Sequence, residues 1–86
     1  MQLESTRGRR FVVLNVADNV ATLLDENLDM DCLENKTFIE LGIPFGHKVS
    51  LSFIAEGEPI VKYGVEIGTA TKSIEQGKHV HVHNCK

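Results

Sequence analysis

Short apolar runs separated by turn residues fill this chain, and one pattern occurs three times. Each copy has an isoleucine, a glycine three residues later and a valine or isoleucine three residues further, at residues 43–49, 54–60 and 74–80. Glycine at such a position suits a backbone with positive φ, where a side chain would clash. β-branched residues favour extended strands. Each copy therefore predicts a tight glycine turn that leads into a short strand.

The first half of the chain predicts a hairpin. Residues 11–16 are rich in β-branched and aromatic side chains, and residues 20–24 form a second apolar run. The turn-forming residues Asp18 and Asn19 lie between the two runs, as expected for two antiparallel strands. A helix over residues 16–24 is the alternative, and the β-branched residues disfavour it.

Further strands are predicted in the rest of the chain. Residues 36–41 form one, and residues 49–53 form another whose period of two places Val49, Leu51 and Phe53 on one face. Gly64 and Gly68 separate β-branched runs and mark a kinked or hairpin corner. The second half shows no sustained helical periodicity. The pattern predicts a mostly-β, small barrel-like or clip-like domain of short strands with tight glycine turns.

The length of 86 residues allows one domain. We expect a flexible leader over residues 1–10 and a single domain over residues 11–86. A chain of this size buries only about 60–65% of its unfolded surface, so its core is small. Self-association, or docking on a larger partner, would supplement that core.

Composition excludes several function classes. A net charge of −3 and only five aromatic residues argue against nucleic-acid binding. No run approaches the roughly 20 apolar residues that span a bilayer, and no signal peptide is evident. Cys32 and Cys85 lack a Cys-x-x-Cys spacing and predict reduced thiols, hence a cytoplasmic protein. Residues 25–31 are acidic but lack the spacing of a calcium loop, so a solvated loop is predicted there.

Residues 79–84 contain the highest density of potentially functional side chains in the chain. On a strand, His79, His81 and His83 would share one face, while Val80 and Val82 would point into the core. Two imidazoles of a His-x-His pair can reach one metal ion, but the outer pair would lie about 13 Å apart on a regular strand. A metal would then take two of the three histidines. Hydrogen-bonded surface histidines and an acid–base or anion-binding role are the alternatives.

Other polar residues suggest contacts with an acid. His47 and Lys48 follow the first repeated glycine and could bind a carboxylate, or form an exposed charged turn. Lys62 and Tyr63 could likewise contact a substrate acid, and a partly buried ring is the alternative for Tyr63. Cys85 could be a soft ligand or a mobile thiol. No serine–histidine–aspartate pattern and no phosphate-binding glycine loop occurs.

Four segments together resemble one known family. Residues 43–49, 57–64, 67–71 and 77–84 are similar, in order and spacing, to the N-terminal domain of the altronate/galactarate dehydratase family. That domain belongs to the SAF group, whose fold is the β-clip, and it also occurs as a free-standing small subunit, as in sulfolactate sulfo-lyase. The resemblance covers roughly residues 11–84.

The resemblance implies a metal-dependent sugar-acid lyase that eliminates water or sulfite, with altronate or galactarate as example substrates. Because the chain stops shortly after Asn84, where the long enzymes continue, we expect a small subunit that completes the active site of a larger catalytic chain and is inactive alone. The implied ion is Fe²⁺ or Mn²⁺, held mainly by that larger chain. A stand-alone module that binds a carboxylate or sugar acid without catalysis is the alternative, and a purely structural domain is a third.

The same resemblance implies roles for particular residues. The expected catalytic residues, as proton carriers, are His79, His81 and His83. The expected metal ligands on this chain are His81 and His83. The expected contacts to the substrate carboxylate are His47, Lys48, Lys62 and Asn84.

Overall fold

A computed structural model describes residues 8–86, so residues 1–7 of the predicted leader lie outside the described part. That part contains six strands and no helix, which confirms the mostly-β class. The strands are β1 (Phe11–Val12), β2 (Val20–Leu23), β3 (Lys48–Ser50), β4 (Pro59–Lys62), β5 (Val65–Thr69) and β6 (His79–Val80). Over residues 8–86, then, no helix exists with the length and apolar content that crossing a bilayer requires.

The strands form two antiparallel sheets. One has the order β1-β2-β3-β6, and the other is the β4-β5 pair. The predicted hairpin is confirmed, because Phe11 pairs with Leu23 and Val12 with Thr22. Its strands are shorter than predicted, and residues 13–19 form the connection. The alternative helix over residues 16–24 does not form.

The threefold pattern is confirmed in every copy. The three glycines have positive φ, at 83° for Gly46, 89° for Gly57 and 85° for Gly77. The isoleucine that opens each copy and the β-branched residue that closes it are buried: Ile43, Val49, Ile54, Ile60, Ile74 and Val80. Each copy thus anchors one glycine turn at both ends in the core, which explains why the pattern repeats.

Two apolar clusters lie on opposite faces of the larger sheet. Successive residues of a strand alternate between faces, so Val49 and its neighbour Lys48 point opposite ways. Val49 packs in one cluster, whose buried members are Ala21, Leu23, Leu33, Ile39, Ile43 and Val49. Val80, the partner of Lys48, packs in the other, whose members are Val20, Ile54, Ile60, Ala70, Ile74 and Val80. The central strands therefore hold both halves of a small core together.

The predicted corner near Gly64 is a tight hairpin. Tyr63 and Gly64 connect β4 to β5, and both have positive φ, at 57° and 75°. Two such residues in a row form the turn whose twist matches that of the flanking strands. The second glycine, Gly68, lies within β5 and pairs with Ile60 next to an irregularity in the ladder.

Two predicted strands were wrong. Residues 36–41 contain one isolated bridge, between Phe38 and Cys32, because Lys36 takes a positive φ of 74° that interrupts the extended backbone. The strand predicted over residues 49–53 ends at Ser50. Phe53 is exposed and does not share a buried face with Val49. In both cases the β propensity of the side chains yields to a backbone that bonds to neighbouring loops instead.

An ion pair anchors the start of the domain. Arg9 is fully buried, and its Nε donates to Oδ1 of Asp25 at 2.8 Å. Its terminal nitrogens donate to the carbonyl oxygens of Ile43 and Asp25, and the Arg10 amide donates to Asp25 Oδ2. Within the predicted leader, Arg9 is thus part of the packed structure. The acidic loop over residues 25–31 is a loop as predicted, but Asp25 is not solvated, because it neutralises a buried cation.

This carboxylate makes stability depend on pH. Burial acts to raise the pKa of Asp25, but hydrogen bonds from Arg10 and Arg9 outweigh it and hold the pKa below its usual range. Because the folded-state pKa is lowered, the stabilisation is complete above the unfolded pKa of about 3.9 and is lost as the pH falls below it. Urea unfolding of the wild type and of Asp25→Asn from pH 3 to 7 should show a free-energy difference that shrinks toward low pH. A constant difference would contradict this assignment; Asp29→Asn, in the same loop, is the control.

Candidate functional site

Three histidines meet where two strands lie side by side. β3 and β6 are antiparallel, with Val49 opposite His79. His47 directly precedes β3 and His81 directly follows β6, so both lie at the same end of this pair. His47 Nδ1 lies 2.9 Å from His79 Nε2, and the rings of His47 and His81 stack with centroids 4.4 Å apart. The first and third repeats thereby bring their histidines together.

The histidine run does not continue as a strand. β6 ends at Val80, and the chain then turns, with the amides of Asn84 and Cys85 both donating to the His81 carbonyl. The predicted alternation was therefore wrong: Val82 is 82% exposed and lies outside the core. The predicted separation of His79 and His83 was wrong too, because their ring centroids are 5.4 Å apart. The turn folds His83 back toward the cluster.

Asn84 holds this turn closed. Its Oδ1 accepts from the His81 amide at 3.0 Å, and its Nδ2 donates to the His79 carbonyl at 2.9 Å. The residue is buried, and its side-chain oxygen and nitrogen both bond to its own chain. Asn84 therefore positions His79 and His81, and a direct contact with substrate remains only the prediction made from the resemblance.

Removing this amide should loosen the site. In Asn84→Ala the His79 carbonyl and the His81 amide lose their partners, which should lower the free energy of unfolding by about 2 kcal/mol. Asn27→Ala, a change at an exposed asparagine, should alter it by less than about 0.5 kcal/mol. Urea unfolding of both variants measures the difference, and equal values would show that Asn84 does not support the turn.

Two imidazoles of the cluster, those of His79 and His81, have lowered pKa values. Partial burial lowers the pKa of His79, and the neighbouring His47, His83 and His81 lower it further. The pKa of His81 is lowered by desolvation first and then by His47, Lys48 and His83. Neutral imidazoles offer nitrogen lone pairs. The cluster is therefore suited to accept protons or bind a metal ion.

An open cleft of about 320 Å³ lies beside the cluster. Its polar lining includes His79 and His83, together with two lysines that the sequence analysis missed, Lys72 and Lys78. Two carboxylates, Glu40 and Glu75, line the same cleft. Lys78 directly precedes His79 in the third repeat, so its position beside the histidines was a usable signal, whereas nothing in the sequence marks Lys72. Either lysine could pair with the carboxylate of a ligand, in competition with Glu40 and Glu75.

The other predicted lysines lie in different surroundings. Lys48 lines a second, smaller cleft with His81 and Val82. Lys62 lies on β4, with its Nζ 4.8 Å from the centroid of the Tyr63 ring, and it lines neither cleft. The structure thus gathers His47, Lys48, His79, His81, His83 and Asn84 in one region. It does not bring Lys62 to either cleft that contains a histidine.

Among residues 8–86, the histidines also form a group with the spacing of metal ligands. One nitrogen from each of His47, His79 and His81 lies within 4.8 Å of the other two. His83 is not a member of this group, so the pair His81 and His83 stays a prediction. Three nitrogen donors suit iron, cobalt, nickel or zinc better than magnesium or calcium.

Several known proteins are similar in sequence to this chain. The sequence model of the altronate/galactarate dehydratase SAF domain matches residues 9–86. The chain is 54% identical over 44 residues to (2R)-sulfolactate sulfo-lyase subunit alpha of Chromohalobacter salexigens, covering 51% of this chain and 47% of that protein. It is 54% identical over 41 residues to altronate dehydratase of Bacillus subtilis, covering 48% of this chain and 8% of the enzyme.

A longer match extends over most of the chain. Altronate dehydratase of Escherichia coli is 32% identical over 80 residues, which is 90% of this chain and 16% of that enzyme. The matched region thus spans about half of the sulfo-lyase subunit and a small part of each dehydratase.

Proposed function

The chain belongs to the altronate/galactarate dehydratase SAF domain family, and from this premise we propose that it completes the active site of a larger catalytic chain in a sugar-acid lyase. In this proposal it is the small subunit, inactive alone, of an enzyme that removes water from an acid such as altronate or galactarate. The relatives' names support both a dehydratase and a sulfo-lyase, at equal identity over similar lengths. Sulfite is therefore the second candidate leaving group. We place this reaction in the cytoplasm.

The clustering of the histidines carries this proposal. Four imidazoles with ring centroids 4.4–5.5 Å apart stand beside a cleft lined by Lys72 and Lys78. The cleft is open and shallow, so a small acid bound there would stay exposed to water. An enzyme needs to exclude water around a developing carbanion. A larger chain that covers the cleft would provide that enclosure.

The proposed elimination assigns a task to each group. Lys72 and Lys78 would pair with a carboxylate of the substrate, and Lys48 would contribute from the second cleft. His83, whose ring lies outside the group of three nitrogens that could hold the ion, would accept the proton from the carbon next to the carboxylate. The electron pair of that C–H bond forms the C=C bond while the β-hydroxyl departs, taking a proton from an acidic group of the larger chain to leave as water. A bound Fe²⁺ or Mn²⁺ would polarise the carboxylate and the leaving oxygen.

The alternative function is a stand-alone module that binds a sugar acid without catalysis. The lysine-lined cleft favours it, because a carboxylate can bind there without a second chain. This alternative predicts that the isolated chain binds altronate or galactarate with a millimolar or tighter Kd. The subunit proposal predicts no measurable heat when the same acids are titrated into the isolated chain.

The test of the proposal begins from the native host. The tagged chain is used to capture its partner, and the eluate is assayed with hexonates, hexarates and sulfolactate in the presence of Fe²⁺ or Mn²⁺. We expect one chain of several hundred residues and turnover of one of these acids, lost in a variant that carries alanine at His79, His81 and His83. Elution of the chain alone, without turnover, would favour the binding module.

The second cleft supplies a prediction about assembly. Exposed Ile67 and Val82 flank His81 there, so the proposed larger chain would bury them. Val82→Glu should weaken capture of that chain at least about tenfold, because the charge would lose its hydration in the interface. Val16→Glu, at a fully exposed valine in the β1–β2 connection, should change capture by less than about twofold. Quantitative pull-down measures both, and equal losses would place the interface elsewhere.

A further inference from the structure

We propose that this chain binds one divalent transition-metal ion by itself, through the imidazoles of His47, His79 and His81, before any larger chain is present. This deepens the proposed function and rests on it only for the role of the ion in elimination. Binding itself is a property of the described residues. It assigns His47, in the first repeat, as a ligand, whereas the sequence suggested the neighbouring pair His81 and His83.

The separation of the first two nitrogens fits a shared ion. Imidazole nitrogens bind such metals at about 2.1 Å, so two adjacent ligands of an octahedral ion lie about 3.0 Å apart, and two of a tetrahedral ion about 3.4 Å. His47 Nδ1 and His79 Nε2 are 2.9 Å apart. Without a metal, this contact requires one of the nitrogens to donate a proton to the other. An ion that takes the place of that proton would satisfy both lone pairs with little movement of either ring.

The third nitrogen comes from a residue that can adjust. His81 belongs to the same group, in which no pair of nitrogens is farther apart than 4.8 Å. It is half-buried and follows the last residue of β6, while its amide is held by Asn84. A rotation of its ring shortens the remaining distance without moving the strand. Together the three nitrogens would occupy one side of the ion.

The chemistry of the site favours a transition metal over magnesium or calcium. All three donors are imidazole nitrogens, which suit iron, cobalt, nickel and zinc. Coordination positions that the three imidazoles leave open would be available to oxygen atoms of the larger chain or of the substrate. The ion would then be shared between two chains, with imidazoles from this chain and oxygen ligands from the larger one.

The experiment uses the isolated chain without a polyhistidine tag, after treatment with a chelator. Co²⁺ alone is titrated in at neutral pH and followed by visible absorption and calorimetry. We expect one equivalent to bind, a saturable spectrum typical of nitrogen ligation, and a rise in the thermal unfolding midpoint. Mg²⁺ at the same concentration should produce none of these changes.

Variants identify the ligands. Loss of a group that only orients a ligand weakens metal binding about 10–100-fold, so His47→Ala and His79→Ala should weaken Co²⁺ binding by about 100-fold or more. His83→Ala should change it by less than about threefold. The unfolding midpoint without metal verifies the fold of each variant, and His79→Gln replaces His79→Ala if the latter does not fold.

Two results would overturn the proposal. One is a folded wild-type chain that binds no Co²⁺. The other is Co²⁺ binding that is retained in His47→Ala and lost in His83→Ala, as expected if His81 and His83 are the ligands. These outcomes are separate from the lyase assignment: a chain that binds no metal can still activate a larger chain, and a chain that binds Co²⁺ can fail to do so.

Discussion

Gly77→Ala should unfold most of the population, whereas the same change at Gly57 should be tolerated. Both glycines occupy the same place in the repeated pattern and have positive φ, at 85° and 89°. Alanine at either position would therefore be strained in this left-handed conformation, which costs about 1–2 kcal/mol. A Cβ on Gly77 would lie 2.2 Å from the Phe38 carbonyl oxygen, but one on Gly57 meets nothing within 4 Å. The two variants thus separate backbone strain from steric overlap.

The overlap at Gly77 is with backbone and cannot be relieved by a rotamer change. The Gly77 carbonyl also accepts from the Glu40 amide, so the two segments are locked together at this point. We expect Gly77→Ala to lower the free energy of unfolding by at least about 4 kcal/mol, against about 1–2 kcal/mol for Gly57→Ala. Urea unfolding followed by circular dichroism measures both. Similar values for the pair would show that the segment at residues 38–40 can move away from the turn.

Asp25→Ala should be comparably destabilising. The guanidinium of Arg9 is fully buried, and the Asp25 side chain, 14% exposed, is its ion-pair partner. Removing one member of such a pair leaves a buried charge uncompensated, which costs about 3–5 kcal/mol. A domain of this size has a total stability of about 4–13 kcal/mol, so the variant should lose about a quarter or more of it.

The charge of Arg9, and not the loop itself, should explain this effect. Asp29→Ala removes an exposed carboxylate from the same loop and should change the free energy of unfolding by less than about 0.5 kcal/mol. Replacing both partners, in Arg9→Met with Asp25→Ala, should recover part of the loss, because no charge is then left buried. A double variant as unstable as the sum of the two single variants would contradict the ion-pair account.

The sequence predicted the repeated turns because the signal there is local. Each copy carries its own glycine and its own two buried anchors, so no distant contact is needed to recognise it. The strands over residues 36–41 and 49–53 were wrong for the opposite reason. Their β propensity is real, but Lys36 adopts a positive φ and Leu51 donates its amide to the Asn19 carbonyl of another segment. Hydrogen bonds to distant segments, which override local β propensity here, cannot be recognised from a short stretch of sequence.

The candidate site was predictable in composition but not in shape. The sequence marked His79, His81 and His83, but it implied a strand that would separate the outer two. Asn84 decides the outcome, because its side chain bonds to residues 79 and 81 and closes a turn. His47 joins the cluster only through the pairing of β3 with β6, which is a long-range property of the fold. The sequence therefore indicated that histidines form the site, but the fold determines which histidines lie together in it.

Reconstitution with the larger chain tests the central claim most directly. A fixed amount of the isolated larger chain is mixed with increasing amounts of this chain, with Fe²⁺ present, and release of water or sulfite from the acids is followed by formation of the unsaturated or 2-oxo product. The account predicts no turnover by either chain alone and a rate that rises to a plateau at equimolar ratio, with His79→Ala giving less than about 1% of that rate. Full turnover by the larger chain alone, or equal activation by wild type and His79→Ala, would contradict it.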